Sequence, residues 1–193
     1  MPQVLKDEIR ERIRLSALNE FFTKNFRAAR ITSIAEGAGV PLGLIYSYYK
    51  NKNDLFEHIV SPVKHRLNSF TLNEMSDIPE DNLYRHELPA LLECIEDYHK
   101  EIIILVDKSE GSHFEGAKDE LIEIVAEHLK KTPVLRDTDF EDIFFHILAT
   151  NFMEGVFEIA RHYRGKDWAE NMMTLLIRQH LYGSSSFQKK HSG

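Results

Sequence analysis

One run of side chains limits the fold more than any other: Phe140, Ile143, Phe144, Ile147, Leu148, Asn151, Phe152, Gly155, Val156 and Ile159. Spacing of i, i+3 and i+4, held for about five turns, puts one stripe on one face of an α-helix and cannot serve a strand. The same period recurs along nearly the whole chain. Ile9, Ile13, Ala17 and Phe21, widened by Leu18 and Phe22, predict a helix from about residue 4 to Lys24. Shorter helices are expected from Ile31 to Gly37 and from Pro41 to near Tyr48, and a fourth through Leu55, His58 and Ile59 to about Phe70. Further helices follow over Leu88 to Asp107, around Leu121 to Leu129, over 137–162 and over 168–182. No segment alternates as a strand would, so the class is all-α with about nine helices.

The breaks between helices have their own chemistry. Asn25 tolerates positive φ at a helix end. Gly39 is expected to turn the chain with positive φ, and Pro41 suits the first turn of the helix that follows. Ser109-Glu110-Gly111-Ser112, Thr132-Pro133 and Arg164-Gly165-Lys166-Asp167 end the later helices. Residues 71–82 form the strongest boundary signal, yet the helix before them is long enough to bridge two parts. Gly183-Ser184-Ser185-Ser186 and the tail at 187–193 are expected to be disordered.

Charge is divided unevenly. The chain totals −7, but residues 1–66 hold 11 Lys+Arg against 7 Asp+Glu, or +4, leaving −11 for the remainder. A basic head on an acidic body fits a protein whose head alone meets phosphate. The single cysteine, Cys94, makes no intrachain disulfide, and no stretch reaches the roughly 18 apolar residues of a membrane span. Lys6, Asp7, Glu8 and Arg10 stand where a signal peptide needs an apolar run, so the expected setting is cytoplasmic. Ten histidines are scattered without H-E-x-x-H or Cys–His spacing, so no metal and no cofactor is expected. With no phosphate-binding glycine loop and no G-x-S-x-G, an enzyme is not expected either.

The stretch 31–52 reads as helix, tight turn, helix. Ile34, Ala35, Val40 and Ile45 pack two short helices on the first, and Ala35 and Ala38 are small enough for close approach. A short second helix with small residues at its start suits the major groove. In Ile34-Ala35, Ala38-Gly39-Val40, Gly43, Tyr46, Tyr48-Tyr49, Lys52 and Leu55 the sequence closely resembles the tetracycline-repressor (TetR) family of bacterial regulators. The resemblance is firm over 9–59, and Lys108 to Ser112 is similar to a segment of some members. It implies a helix-turn-helix DNA-binding head over 1–50 and a helical effector-binding and dimerisation body over 51–186.

By position, the resemblance implies that Pro41, Leu42, Gly43 and Leu44 face base edges while Tyr46, Tyr48 and Lys52 hold phosphates. Two positions depart from the family pattern. Ala29 and Arg30 stand where many members have threonines, so Arg30 is expected to supply phosphate contact by charge, and Thr32 or Ser33 to cap the second helix. The reading helix carries Leu42 and Leu44 but no Arg, Asn or Gln, so readout is expected to rest on thymine methyls and DNA shape. Tyr49 reads as core.

The resemblance also implies a homodimer through about 137–182 on a palindromic operator, with half-sites one turn or a multiple apart. It implies a small-molecule effector in the body that releases DNA. Tyr98, His99, Phe114, Phe144, Asn151, Met153 and Phe157 are the candidate lining, each equally readable as core. Asn151 interrupts an apolar stripe, and a ligand, a helix end or water would each satisfy its amide. Gly155 permits close approach of a helix, from a twin or from its own chain. The rival reading is a helical interaction module that keeps the fold without DNA binding.

Overall fold

The computed structural model describes residues 3–72, 80–132, 135 and 138–185. Among them are eight helices and no strand: α1 Gln3–Ala28, α2 Ile31–Ala38, α3 Leu42–Tyr48, α4 Lys52–Leu72, α5 Glu80–Asp107, α6 Ala117–Leu129, α7 Asp142–Arg161 and α8 Lys166–Ser185. The all-α class is as expected. The centre of the 71–82 boundary and the tail at 187–193 lie outside the described residues. One expectation is corrected near the end: α8 continues through Gly183 and Ser184 to Ser185, where a disordered run was expected.

The chain forms two compact units. The first comprises Met1–Lys64 and Lys100–Lys118, and the second His65–His99 and Asp119–Gly193. The head expected over 1–50 lies within the first unit, which also takes in the start of α4 and the end of α5 with the loop after it.

The first unit is built on the α1 stripe. Ile13, Ala17 and Phe21 are fully buried and Ile9 nearly so, as four-residue spacing requires. Phe56 meets Phe21 and Phe26 edge to face, its centroid 4.9 Å and 5.0 Å from theirs. Phe114 closes the cluster, 6.1 Å from Phe56. Asn25 has φ 73°, and beyond it the chain turns once more as its Oδ1 accepts the Ala28 N–H at 2.9 Å. The helix thus ends regular winding where the sequence indicated.

In the second unit α7 and α8 pack closely. A Cβ added at Gly155 would lie 2.6 Å from Leu176 Cδ1. Of the two alternatives left open for Gly155, the close approach is to its own chain. Phe145, Ala149, Met153, Val156 and Phe157 of α7 are buried, as are Ala169, Met173 and Ile177 of α8.

By length and composition alone α7 is apolar enough to cross a membrane, a test that a core helix also passes, although polar residues such as His146, Asn151 and Glu154 interrupt it. Its composition has a local cause: it is apolar on a second side as well. Ile143 is 59% exposed and Ile147 47%, with Leu175 of α8 at 53%.

Candidate nucleic-acid interface

The first unit positions α2 and α3 through backbone capping. Gly39, at φ 62°, ends α2: its N–H donates to the Glu36 carbonyl at 3.0 Å, and the Val40 N–H to the Ala35 carbonyl at 3.0 Å. This pair of bonds requires a left-handed residue, which glycine supplies without steric cost. The Arg12 guanidinium on α1 donates to the carbonyls of Ala38 and Gly39, occupying two further acceptors. Ser16 Oγ donates to the Ile34 carbonyl at 2.8 Å, and a Cβ at Gly37 would strike that hydroxyl at 2.4 Å. Gly37 thus lets α2 close onto α1.

The start of α2 is capped from a distance. Arg30 occupies the N-cap position with φ −119° and makes no side-chain capping bond. Its N–H donates instead to Glu20 Oε1 on α1 at 3.1 Å, and Lys24 Nζ pairs with the same oxygen at 3.2 Å. Neither Thr32 nor Ser33 caps the helix, which corrects the sequence expectation. Glu20 was missed because it lies ten residues away in sequence.

Pro41 stands one position before α3, with φ −59°, and its carbonyl accepts the Leu44 N–H at 2.9 Å. Ile45 anchors α3 as its one fully buried residue, while Leu44 is half-buried. Pro41, Leu42, Gly43 and Tyr46 are exposed, as are Arg30 and Thr32 on α2. Of the expected base-facing set, Leu44 is thus the member turned partly inward. Tyr48 is half-buried; its hydroxyl donates to the Lys6 carbonyl at 3.4 Å and Arg10 lies over its ring at 5.8 Å. Tyr49 is buried, and burial raises its phenol pKa.

Lys52 is placed otherwise than the resemblance implied. Its ammonium donates to the carbonyls of Phe26 at 2.8 Å, Ala29 at 3.2 Å and Arg27 at 3.4 Å, above the Phe26 ring at 4.5 Å. An ammonium has three N–H donors, and all three point at the end of α1. Burial lowers the pKa of this amine. Lys52 is thus placed as a fastener between α4 and the end of α1. The exposed cations of the head that carry no ion pair among the described residues include Arg30 and Lys50. Sequence reading took Lys50 only as punctuation, though its position beside Tyr49 was a usable signal.

The candidate effector residues are divided between the two units. Phe114 belongs to the first unit, where it packs on Phe56 with Lys64 Nζ 5.4 Å above its ring, so it is core there. Asn151 is exposed, which corrects its reading as a buried amide. Met153 and Phe157 are buried on α7, and Phe144 is half-buried against Phe140 at 4.8 Å. Tyr98 departs from helical φ/ψ and kinks α5, with Arg66 over its ring at 5.8 Å; His99 stacks on Tyr163 at 4.5 Å. Among the described residues no three His, Cys, Asp or Glu side chains are grouped to hold a metal.

Comparison with known proteins agrees with this geometry. Residues 13–59 match the model of the bacterial regulatory proteins of the tetR family. The fold resembles that of a TetR-family member from Streptomyces coelicolor A3, with TM-score 0.71 at 15% identity over 89% of this chain and 90% of that one. A TetR-like regulator from Rhodococcus sp. RHA1 gives 0.63 at 19% identity, covering 95% and 99%. NalD of Pseudomonas aeruginosa, the secondary repressor of the MexAB-OprM multidrug efflux pump, gives 0.57 at 18%, covering 91% and 97%. The helix-turn-helix built on 31–48 and fixed to α1 as described thus lies within the segment that matches the tetR family of bacterial regulatory proteins, on a fold similar to those of TetR-family regulators.

Proposed function

We propose that this regulator is a cytoplasmic homodimeric repressor that leaves a palindromic operator when a small molecule enters its helical body. The observation that carries the DNA half is the exposed edge of the head. Pro41, Leu42, Gly43 and Tyr46 stand in solvent, as do the cations Arg30 and Lys50, within residues 1–66, which hold 11 Lys+Arg against 7 Asp+Glu. Such an edge holds phosphates and presents a short helix to a groove.

Dimerisation is supported by the second apolar side of α7. Ile143, Ile147 and Leu175 are about half exposed, as large apolar side chains seldom are without a partner. A second copy meeting this side through a two-fold axis would space two heads for two half-sites.

The effector reading is supported by polar atoms of the second unit. His99 Nδ1, His128 Nε2 and Thr150 Oγ1 are buried and make no hydrogen bond within the chain. Buried polar atoms need partners, and an apolar ligand with few polar groups would supply some. The test is binding of the full chain to duplex DNA from upstream of its own coding sequence, followed by release on screening small molecules. No release by any compound would sink the effector reading while leaving DNA binding intact.

A further inference from the structure

Where α3 ends, the polar side chains that could meet a phosphate are mostly engaged inside the chain. A phenol has one O–H to donate. The Tyr48 hydroxyl donates to the Lys6 carbonyl at 3.4 Å, which leaves it no proton for a phosphate oxygen, an acceptor only. Ser47 Oγ donates to the Leu44 carbonyl at 2.7 Å, and the Lys52 ammonium is held by the end of α1. The Tyr49 hydroxyl is buried.

One cation of α1 stands at the same edge with its donors free. Arg10 is exposed and makes no ion pair among the described residues. The neighbouring carboxylate of Glu11 is occupied by Arg14, whose Nε and a terminal nitrogen donate to its two oxygens at 2.9 Å and 2.8 Å. The Arg10 guanidinium lies 5.8 Å above the Tyr48 ring. A guanidinium stacked on an aromatic face is held in place while the N–H groups along its edge remain open to an acceptor. The ring is itself fixed twice, by α3 that carries it and by the bond from its hydroxyl to the start of α1.

We propose that Arg10 is a phosphate ligand of the head and that Tyr48 is its positioning residue, the ring holding the guanidinium against the DNA backbone beside the end of α3. The ligand is a phosphodiester of duplex DNA, whose two free oxygens a planar guanidinium meets with paired N–H bonds. The phosphate contact that the resemblance implies for Tyr48 thus passes to a side chain of α1. The inference rests on DNA binding by this head.

The test titrates full-length protein with a duplex of mixed sequence, by fluorescence anisotropy, over a series of salt concentrations. The slope of log affinity against log salt reports the phosphates held. Arg10→Gln should weaken binding and flatten that slope by about one per head. Arg10 is exposed, so this variant keeps the fold, which circular dichroism checks. Tyr48→Phe removes the hydroxyl alone and should match the parent in affinity and slope. Tyr48→Leu removes the ring and should flatten the slope as Arg10→Gln does, and the two changes together should flatten it no further than either alone. Should Tyr48→Leu fail to fold, the first two variants decide. The proposal is overturned if Arg10→Gln keeps the parent slope, if Tyr48→Phe loses a phosphate, or if a folded Tyr48→Leu keeps the parent slope or adds to the loss in Arg10→Gln. A parent protein that retains no duplex at the lowest salt would instead refute DNA binding itself, and the proposal with it.

Discussion

Lys52 Nζ lies 2.8 Å from the carbonyl oxygen of Phe26, and the N–H of that same Phe26 donates to the Lys108 carbonyl at 2.8 Å. One residue at the end of α1 is thus held from both sides, by the start of α4 and by the residue just past α5. Phe26 precedes α2 by five positions, so this double hold fixes where the helix-turn-helix begins.

Replacing Lys52 by Met should therefore act on the fold first. Loss of charge-assisted bonds costs about 1.5–3 kcal/mol, at the lower end here because the site is half exposed. That corresponds to a fall in Tm of about 3–6 °C for a chain of this size. The salt dependence of DNA affinity should keep its slope. A lost phosphate contact would instead reduce the slope by about one per head.

Glu20 supplies the analogous prediction at the start of α2. Glu20→Ala removes the acceptor of the Arg30 N–H and the partner of Lys24. The part-buried N–H left without this acceptor costs about 1 kcal/mol, the lower end of the range for an unmade bond. Amide hydrogen exchange should quicken in α2 before it does in α1. Equal acceleration across the whole unit would show that Glu20 does not act through the α2 start.

How far the sequence foretold these features depended on the range of each interaction. The α1 stripe, the turn at Gly39 and the interruption at Asn25 were legible because each depends on neighbours within a few residues. The partners of Lys52 and Glu20 were not foreseen, and that of Gly155 was left open, because they lie 26, 10 and 21 positions away. Asn151 was misread for a different reason. It lies on the apolar stripe by spacing, but α7 is apolar on two sides, so spacing alone does not say which side is covered within one chain.

The exposed side of α7 predicts the behaviour of the dimer. Ile147→Glu places a charge where two copies are proposed to meet, and burying it unpaired costs several kcal/mol. Sedimentation should show the parent as a dimer and this variant as a monomer at micromolar concentration. Its helix content should be unchanged, since Ile147 is 47% exposed within the chain. A variant that remains a dimer would place the interface elsewhere.

Two histidines of the second unit give stability a pH dependence. Burial lowers the pKa of His180, which lies 4.7 Å from Phe152; it also lowers that of His128, with nearby Lys131 adding to the effect. In the unfolded chain each takes a proton near the ordinary value of 6.5, whereas in the fold each resists it. The unfolded state then binds more protons, so stability falls as pH drops below about 6.5 toward the folded values. Denaturant midpoints measured from pH 8 to pH 5 should decline. The decline should shrink in the double variant His128→Gln, His180→Gln.

The central claim is that a basic head on an acidic chain binds duplex DNA through phosphate contacts. Fluorescence anisotropy of the full-length protein with a duplex from upstream of its coding sequence, repeated over a series of salt concentrations, tests it most directly. Log affinity is expected to fall linearly and steeply with log salt, with a slope of about −0.9 for each phosphate held. An affinity that stays flat across the series, or no binding at the lowest salt, would contradict it.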